Sequence, residues 1–384
     1  MKLINNYLYL DYNATAPLVK PVQDWLCEGA VYFGNPASIH QVGKKSKSLI
    51  NQTIKKIQDT FNATKYDVFF HSGATEAINS VVKGFCFNAL KAKSSFHVFC
   101  FDVDHSSMVN QKEHVELLGG TFHVLKTHSG DFDTQEVIQA LNKCEGEKLI
   151  NFTYVNNENG VVWDLDEVLK VKEETGACVH VDCVQVVGKI KDWDQLTLGL
   201  DYYTFSGHKF GALKGVGFTL VSKEASWTPL IRGGGQQKAM RSGTENAFSV
   251  YTINLALDYN LSHSNIERTQ GVKDEIEKWL VENFGSNITL IGAKAKKRNA
   301  TTIFFSVHNK NINTVMMALD MAGICASSGS ACASGIIKPS RIAKAYDLSD
   351  EAATNVIRFS LSPFSQEAET IISKLNPVLS KFLS

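Results

Sequence analysis

The chain has 384 residues, a length that predicts a large domain together with a smaller one. Hydrophobic residues make up 44% and charged residues 20%, a composition that is typical of soluble globular proteins and excludes intrinsic disorder. Lysine plus arginine equals aspartate plus glutamate at 39 each, so the charge gives no reason to expect nucleic acid or an anionic membrane as the main partner.

The sequence carries no membrane or secretion signal. No stretch approaches the ~20 consecutive apolar residues of a membrane span, and the first 17 residues (MKLINNYLYLDYNATAP) contain no apolar core followed by a cleavage site. We therefore expect a cytoplasmic protein with no membrane partner. Eight cysteines without regular spacing predict reduced thiols. With no C-x-x-C pair and no histidine-rich cluster of ligand spacing, we expect no metal site. The alternative is a metal held by one of the cysteine pairs Cys178/Cys183 and Cys325/Cys332.

Six β-rich runs end in small or polar residues and are followed by helical patterns. They cover residues 67–71, 96–100, 148–154, 178–182, 201–205 and 217–221. Strands that alternate with helices predict an α/β fold with a mostly parallel sheet covered on both faces. In such sheets the polar residues just past the carboxyl ends of the strands meet the ligand. Residues 13–255 are therefore predicted to form a large cofactor- or substrate-binding domain.

The pattern changes after residue 255. We predict a long charged helix at 265–283, strands near 288–291 and 301–307, and helices near 311–321, 339–346 and 366–382. These elements predict a smaller α+β domain that comprises residues 256–384 together with residues 1–12.

Three strand-end stretches suggest a ligand. In His71-Ser-Gly-Ala-Thr-Glu-Ala77, small residues open a helix and leave backbone N–H groups available to a phosphate. Asp182 ends an apolar strand, where a carboxylate needs a cation or several donors. Lys209 follows another strand, where a lysine with a lowered pKa can condense with an aldehyde. Each stretch has an ordinary structural alternative: a tight turn, a helix cap and a solvated loop lysine.

Together the three stretches offer the three attachments that pyridoxal 5′-phosphate requires, namely its phosphate, its aldehyde carbon and its ring nitrogen. Two further loops fit this interpretation. His105, after the 96–100 run, could lie over the ring, and residues 156–158, after the 148–154 run, could hydrogen-bond the phenolic oxygen.

Cys332 lies in Ser327-Ser-Gly-Ser-Ala-Cys-Ala-Ser-Gly335, among residues too small to bury it. Small neighbours make a loop easy to move, and Gly329 and Gly335 can absorb large backbone changes. We therefore predict a nucleophile on a mobile loop, which could attack an atom in the active site and then carry it outward.

The sequence resembles the pyridoxal-phosphate cysteine desulfurases, in the IscS/NifS-like branch of the class V aminotransferase family. The resemblance implies a PLP-dependent transferase fold of the aspartate aminotransferase type (fold type I). The stretches that carry it, in chain order, are Tyr9-Leu-Asp-Tyr-Asn-Ala-Thr15, Phe33-Gly-Asn-Pro-Ala-Ser38, Ser72-Gly-Ala-Thr-Glu76, Val155-Asn-Asn-Glu158, His180-Val-Asp182, Ser206-Gly-His-Lys209, Arg241-Ser-Gly-Thr244, Ser327 to Cys332 and Ile357-Arg-Phe-Ser360.

The resemblance also implies a role for each site residue. Lys209 binds the cofactor aldehyde and moves the Cα proton, His105 stacks on the ring and moves protons, and Cys332 takes the sulfur of L-cysteine as a persulfide, leaving alanine. The remaining cofactor and substrate contacts are Ala74, Thr75, Ser206 and His208 to the phosphate, Thr244 to the phosphate of the other subunit, Asp182 to the ring nitrogen, Asn157 and Gln185 to the phenolic oxygen, and Arg358 to the substrate carboxylate.

A homodimer follows from the role of Thr244, and a sulfur-acceptor protein such as an iron–sulfur scaffold or a tRNA-thiolation protein follows from the persulfide. Two alternatives keep the fold: an aminotransferase or selenocysteine lyase, and a non-catalytic partner-binding relic. The sequence departs from the family pattern in the residues after Lys209, Phe210-Gly-Ala-Leu-Lys-Gly215. It also carries Cys183 where alanine is usual, as a small buried residue or a redox group.

Overall fold

The computed structural model describes residues 7–329, 338–364 and 367–383. Its strands are β1 (Leu8–Tyr9), β2 (Tyr66–His71), β3 (Phe96–Phe101), β4 (Thr121–Leu125), β5 (Glu147–Thr153), β6 (Cys178–Asp182), β7 (Tyr202–Ser206), β8 (Gly217–Ser222), β9 (Ile288–Leu290), β10 (Thr302–Val307), β11 (Ile324–Cys325), β12 (Ser327–Ser328) and β13 (Val356–Ser360). Its α-helices are α1 (Lys20–Glu28), α2 (Gln41–Thr60), α3 (Ala74–Ala92), α4 (Ser106–Val109), α5 (Lys112–Leu117), α6 (Thr134–Asn142), α7 (Leu165–Thr175), α8 (Ala247–His263), α9 (Ile266–Phe284), α10 (Ile312–Met321), α11 (Arg341–Lys344), α12 (Asp350–Thr354) and α13 (Ala368–Leu383).

A seven-stranded sheet in the order β2-β8-β7-β6-β5-β3-β4 forms the centre of the molecule. Strand β8 runs antiparallel to both of its neighbours, and the pairs from β7 to β4 are parallel. The predicted mostly parallel α/β sheet is therefore confirmed. All six predicted strands are present, because each is a run of β-branched and aromatic residues that the flanking helices bury on both faces.

The sequence prediction missed β4, the edge strand of this sheet. Only Phe122 of its five residues is buried, so the strand lacks the continuous apolar run of the central strands. The predicted helix at 339–346 is only the single turn α11. Ser340 caps its start, and Asp347 adopts a left-handed backbone conformation (φ 59°) just beyond its end.

A chain of buried polar side chains crosses the large sheet. The hydrogen bonds join Asp104 to Asn151 (2.7 Å), Asn151 to His180 (2.6 Å), His180 to Thr204 (2.8 Å), Thr204 to Thr219 (2.9 Å) and Thr219 to His71 (3.2 Å). Burial lowers the pKa of His180 to about 3 and the pKa of His71 to about 4, so both rings stay neutral. This hydrogen-bond network links six segments of the large sheet beneath the strand ends.

The C-terminal part contains an antiparallel sheet in the order β12-β13-β10-β9 and the parallel pair β1-β11. Its apolar core joins the N-terminal residues Leu8 and Leu10 to α9, α10 and α13. We propose this unit as the small domain. The predicted boundary at residue 255 lies within α8, which continues to His263. No helix within the described ranges is long and apolar enough to cross a membrane.

Candidate active site

A cavity of about 380 Å³ opens at the carboxyl ends of the large sheet's strands. It is lined by nine of the predicted site residues, Ala74, Thr75, His105, Asn157, Asp182, Gln185, Ser206, His208 and Lys209, together with Ser72, Gly73, Ser107, Thr153, Val155, Val184, Lys214 and Gly215. These residues come from strand ends, from the start of α3 and from the segments that follow the strands, and they converge because parallel strands place their carboxyl ends at one edge of the sheet.

Lys209 lies just past β7 and is half-buried in this cavity. Its Nζ donates to the carbonyl oxygens of Asn13 and Ala14, both at 2.8 Å. Burial, followed by the positive charge of Arg358, lowers the pKa of the amine to about 8. The amine is therefore far more nucleophilic near neutral pH than an exposed lysine, as an aldehyde-binding lysine must be.

Asp182, at the end of β6, has 7% of its surface exposed. Its Oδ1 accepts a hydrogen bond from the Val184 N–H at 2.9 Å. Burial raises the pKa of the carboxyl group, against the opposing effect of this bond and of the charges of His105 and Lys209. A cationic N–H placed beside the carboxylate would reverse that shift, so the position suits a protonated ring nitrogen.

The amino end of α3 forms one wall of the cavity at Ala74 and Thr75. Its N-cap is Gly73, which offers no side chain to the first N–H groups of the helix. Glu76, the acidic residue of the first turn, is held by Arg241 Nε (3.0 Å) and by the Ser72 N–H (2.8 Å). The helix end therefore presents N–H groups and a positive dipole end to the cavity, which favours a phosphate.

The phosphate position is bordered on the other side by Ser206 and His208. His208 Nδ1 lies 3.1 Å from the hydroxyl of Thr15. Burial, and then the charge of Lys209, lowers the pKa of His208 to about 4. A bound dianion would favour the protonated ring, so His208 is suited to gain a charge-assisted contact when a phosphate arrives.

His105 lies at the amino end of α4 and is exposed at the mouth of the cavity. The backbone N–H of Ser107 donates to its Nδ1 (3.1 Å), and the Ser107 hydroxyl lies 2.8 Å from the same atom. The neutral ring in this arrangement therefore carries its proton on Nε2. Partial desolvation by the surrounding protein lowers the pKa of the imidazole, so the neutral form is favoured at neutral pH.

Arg358, on β13, lies beside the cavity and is buried. Its Nη1 donates to the carbonyl oxygen of Asn157 (3.0 Å), and its Nη2 to Asp11 Oδ1 (2.8 Å). Its Nε is buried without a hydrogen-bond partner among the described residues. An unpaired buried guanidinium N–H is costly, and a ligand carboxylate would satisfy it only if the Arg358 side chain moved toward the cavity.

Sequence reasoning missed Lys189, which lies fully buried behind Gln185. Its Nζ donates to Gln185 Oε1 and to Asn13 Oδ1 (3.1 Å), and burial lowers its pKa well below the usual range. Because an amine in this position only donates to the amide oxygen, Gln185 keeps its Nε2 on the other side, where one N–H bonds the Asn13 carbonyl (2.9 Å). Lys189 thus fixes the orientation of a cavity-lining amide.

The N-terminal segment Tyr9–Thr15, which the sequence analysis noted only as a family match, lies against the residues of the site. Asn13 bonds Lys189, Lys209 and Gln185, and its Nδ2 donates to the Asn157 carbonyl (3.1 Å). These contacts join residues 144 to 196 positions apart, so no local sequence pattern could reveal them.

Apart from Arg358 at its border, Thr244 is the one predicted site residue in the described part of the chain that does not line the cavity. Thr244 is exposed, in a loop that Arg241 ties to α3. Cys332 lies outside the described residues.

The departure from the family pattern after Lys209 has a defined conformation in which Lys214 and Gly215 line the cavity. Gly211 has a φ of 94°, and a Cβ at this position would lie only 2.5 Å from Val19 Cγ1, so glycine is required there.

Cys183 is fully buried beside Asp182, and burial raises its thiol pKa well above the usual value. A buried, protonated thiol is inert, which favours the small buried residue over the redox group.

The side chains present fit pyridoxal phosphate. A lysine of lowered pKa suits the aldehyde, a buried carboxylate suits the ring nitrogen, and the uncapped start of α3 suits the phosphate. All three line a single cavity of about 380 Å³, a volume in the range of small-ligand sites.

The aminotransferase class-V family model matches residues 8–371. A cysteine desulfurase of Nostoc sp. is 31% identical over 370 residues, covering 94% of this chain and 90% of that protein. The cysteine desulfurase IscS of Dictyoglomus turgidum is 32% identical over 392 residues, covering 97% and 96%. The solved structure of a NifS-like protein from Rickettsia africae has a TM-score of 0.84 at 26% identity and covers 97% of this chain and 99% of its own. The chain therefore belongs to the class V aminotransferase family and, within it, to the cysteine desulfurases.

Proposed function

We propose that the protein converts L-cysteine to L-alanine and keeps the sulfur as a persulfide on Cys332, from which an acceptor protein removes it. The family relationship supports the reaction, and the cavity supports the cofactor. Pyridoxal phosphate, when bound, withdraws electrons from the substrate and so weakens its Cα–H and Cβ–S bonds.

Three residues in and beside the cavity have proposed roles that their surroundings support. Lys209 holds the cofactor aldehyde and, once displaced by the substrate amine, moves the Cα proton, since its lowered pKa makes it a base near neutral pH. Asp182 holds the proton of the ring nitrogen. Arg358, whose Nη1 bonds the carbonyl oxygen of the cavity-lining Asn157, is the proposed partner of the substrate carboxylate.

The sulfur step belongs to Cys332 in this proposal. Its thiolate attacks the substrate sulfur, so that an S–S bond forms while the Cβ–S bond breaks with its electron pair going to carbon. A proton then completes the methyl group of alanine. His105 is the proposed partner for the Cys332 proton. Because Ser107 donates to Nδ1, the neutral His105 ring already carries its proton on Nε2. Nε2 can therefore accept a proton only after the contact with Ser107 is released and the ring proton has moved to Nδ1.

The observation that supports the assignment of Cys332 is the position of the described residues on either side of its segment, Ser327 before it and Arg341 after it. Ser327 pairs with Arg358 in the β12–β13 register, and its hydroxyl bonds Asp11 Oδ1 at 2.6 Å. Beyond the segment, Arg341 Nη2 donates to the carbonyl of Asp104, next to His105, at 2.9 Å. Both ends therefore adjoin the cavity. The chain from residue 329 to Cys332 spans at most about 11 Å.

The test is to incubate the holoenzyme with L-cysteine, with and without reductant, and to measure alanine, sulfide and protein-bound persulfide. We expect equal amounts of alanine and sulfide under reductant. Cys332→Ala should retain cofactor and bind cysteine but form no persulfide by mass spectrometry. Cys325→Ala, a half-buried thiol in the preceding strand, is the matched control and should behave as the unaltered enzyme.

Three results would contradict this proposal. 3-Mercaptopyruvate with an aminated cofactor would identify an aminotransferase, and a colourless protein that does not take up added cofactor would identify a non-catalytic relic. An undiminished persulfide in Cys332→Ala would remove Cys332 from its role.

The proposed assembly is a homodimer in which Thr244 completes the phosphate site of the other subunit. The exposure of Thr244 in the single chain and the link of its loop to α3 support this arrangement. Sedimentation of the holoenzyme should give twice the mass of the 42.4 kDa chain, and a monomer would refute it.

A further inference from the structure

One cluster of candidate metal ligands occurs within the described parts of the chain, at the outer edge of the large sheet. It consists of His97 on β3, His123 on the edge strand β4, and Cys144 just after α6. All three residues are half-buried, and one ligand atom from each lies within 4.8 Å of the others. Cys178 and Cys183, considered from spacing alone, belong to no such cluster among these residues.

The protonation of His97 leaves a lone pair directed at this cluster. Its Nε2 lies 3.1 Å from the carbonyl oxygen of Glu145. Since a carbonyl can only accept, Nε2 carries the proton and Nδ1 of the neutral ring does not. A histidine whose second nitrogen donates to a backbone carbonyl is the usual arrangement of a metal ligand, because that bond fixes both the ring and its tautomer.

His123 is also held in place. Its ring stacks on Phe99, with centroids 4.3 Å apart and planes within 10°, and it lies on β4 at the position paired with Phe99. Burial, and then the neighbouring His97, lowers the pKa of His123, so the ring is neutral near pH 7 and able to bind a cation. The neutral form is the one that ligates metals.

The spacing of the ligand atoms suits a tetrahedral ion. His97 Nδ1 and His123 Nε2 are 3.0 Å apart, and Cys144 Sγ is 4.0 Å from His123 Nε2. Bonds of about 2.0–2.1 Å to nitrogen and about 2.3 Å to sulfur give edges of roughly 3.3 Å and 3.6 Å in a tetrahedral zinc site. Shifts of a few tenths of an ångström would therefore bring these two distances to tetrahedral values, and the third distance, from Cys144 Sγ to His97, is at most 4.8 Å and would have to close to roughly 3.6 Å.

We propose that His97, His123 and Cys144 form a binding site for Zn²⁺, with a fourth position open to water. Mixed nitrogen and sulfur ligands select a borderline ion over calcium or magnesium. On binding, Cys144 releases its proton and becomes the thiolate ligand. In the metal-free protein, His123 Nε2–H donates to His97 Nδ1, and with the ion bound that proton moves to His123 Nδ1.

The site would join the sheet edge to the end of α6. It is separate from the active-site cavity, since His97 lies at the start of β3 and the cavity residues follow its far end. Phe101, the last residue of β3, lies four positions beyond His97, a distance of about 13 Å along the strand. Zinc at this site should therefore leave the cofactor absorbance unchanged.

The experiment titrates the holoenzyme with Zn²⁺ against a chromophoric chelator, and repeats the titration with Co²⁺ to follow visible ligand-field bands. Four proteins are compared: the unaltered enzyme, Cys144→Ser, His123→Gln and the control Cys27→Ser, which removes an exposed thiol outside the cluster. Circular dichroism and cofactor absorbance check that each variant is folded.

We expect the unaltered enzyme and Cys27→Ser each to bind one equivalent of Zn²⁺ tightly at this site. In Cys144→Ser and His123→Gln, the affinity for that equivalent should fall at least about tenfold. Tetrahedral Co²⁺ bands should be lost in the same two variants. Equal stoichiometry and affinity in all four folded proteins would overturn the proposal. Loss of the cofactor spectrum on zinc addition to the unaltered enzyme would also overturn it, because the ion would then be acting at the cavity.

Discussion

The lowered pKa of Lys209 can be tested by the pH dependence of cofactor uptake. Only the unprotonated amine attacks an aldehyde. With a pKa of about 8, as burial and Arg358 produce, roughly 9% of the amine is unprotonated at pH 7. With the ordinary value of 10.5 the fraction would be about 0.03%, so the structure predicts roughly 300-fold more reactive amine at neutral pH.

The assay mixes apoprotein with pyridoxal phosphate and follows the absorbance of the bound cofactor from about pH 6 to about pH 10. Nα-acetyl-lysine in the same buffers corrects for the titration of the cofactor itself. We expect the protein rate to rise about tenfold per pH unit below pH 8 and then level off, while the acetyl-lysine rate keeps rising. Arg358→Gln should move the bend to higher pH, because it removes the largest charge that lowers the pKa of Lys209.

Two lysines line the cavity and give a matched pair of variants. Lys214→Ala should keep covalent cofactor uptake, and Lys209→Ala should lose it. A protein rate that rises in parallel with acetyl-lysine up to about pH 10 would refute the lowered pKa. Loss of uptake in Lys214→Ala alone would show that the aldehyde binds Lys214 instead of Lys209.

The remaining predictions concern stability, substrate binding and cofactor binding. Asp104→Leu leaves three buried donors without their acceptor, so it should lower the free energy of unfolding in urea by about 3 kcal/mol or more. Asp104→Asn keeps an acceptor and should lower that free energy much less. Equal decreases in the two variants would refute the reasoning. Arg358→Lys should raise KM for L-cysteine about tenfold or more with the cofactor spectrum unchanged, because an ammonium lacks the planar fork, and an unchanged KM would exclude the carboxylate role. Lys189→Met should release the Gln185 amide and shift the pH titration of the cofactor spectrum. A change in thermal stability without that shift would make Lys189 merely structural.

Much of the fold was predictable because its signals are local. The β5, β6 and β7 strands are short apolar runs ending in polar residues, and their predicted positions lie within one residue of the observed ones. The predicted helix at 265–283 is α9, Ile266–Phe284. The edge strand β4 was missed because only one of its five residues is buried in the core.

The sequence by itself predicted the chemical groups that line the candidate active site, because Asp182, Lys209 and the start of α3 each follow a recognisable strand end, and parallel strands bring such ends to one edge. The tertiary structure decided what surrounds them. Lys189 reaches Asn13 across 176 positions, and Arg358 reaches Asp11 across 347. The proposed zinc ligands likewise come from two strands and a helix end. Burial and charge act through space, so the lowered pKa of Lys209 and the orientation of Gln185 exist only once distant segments are packed together.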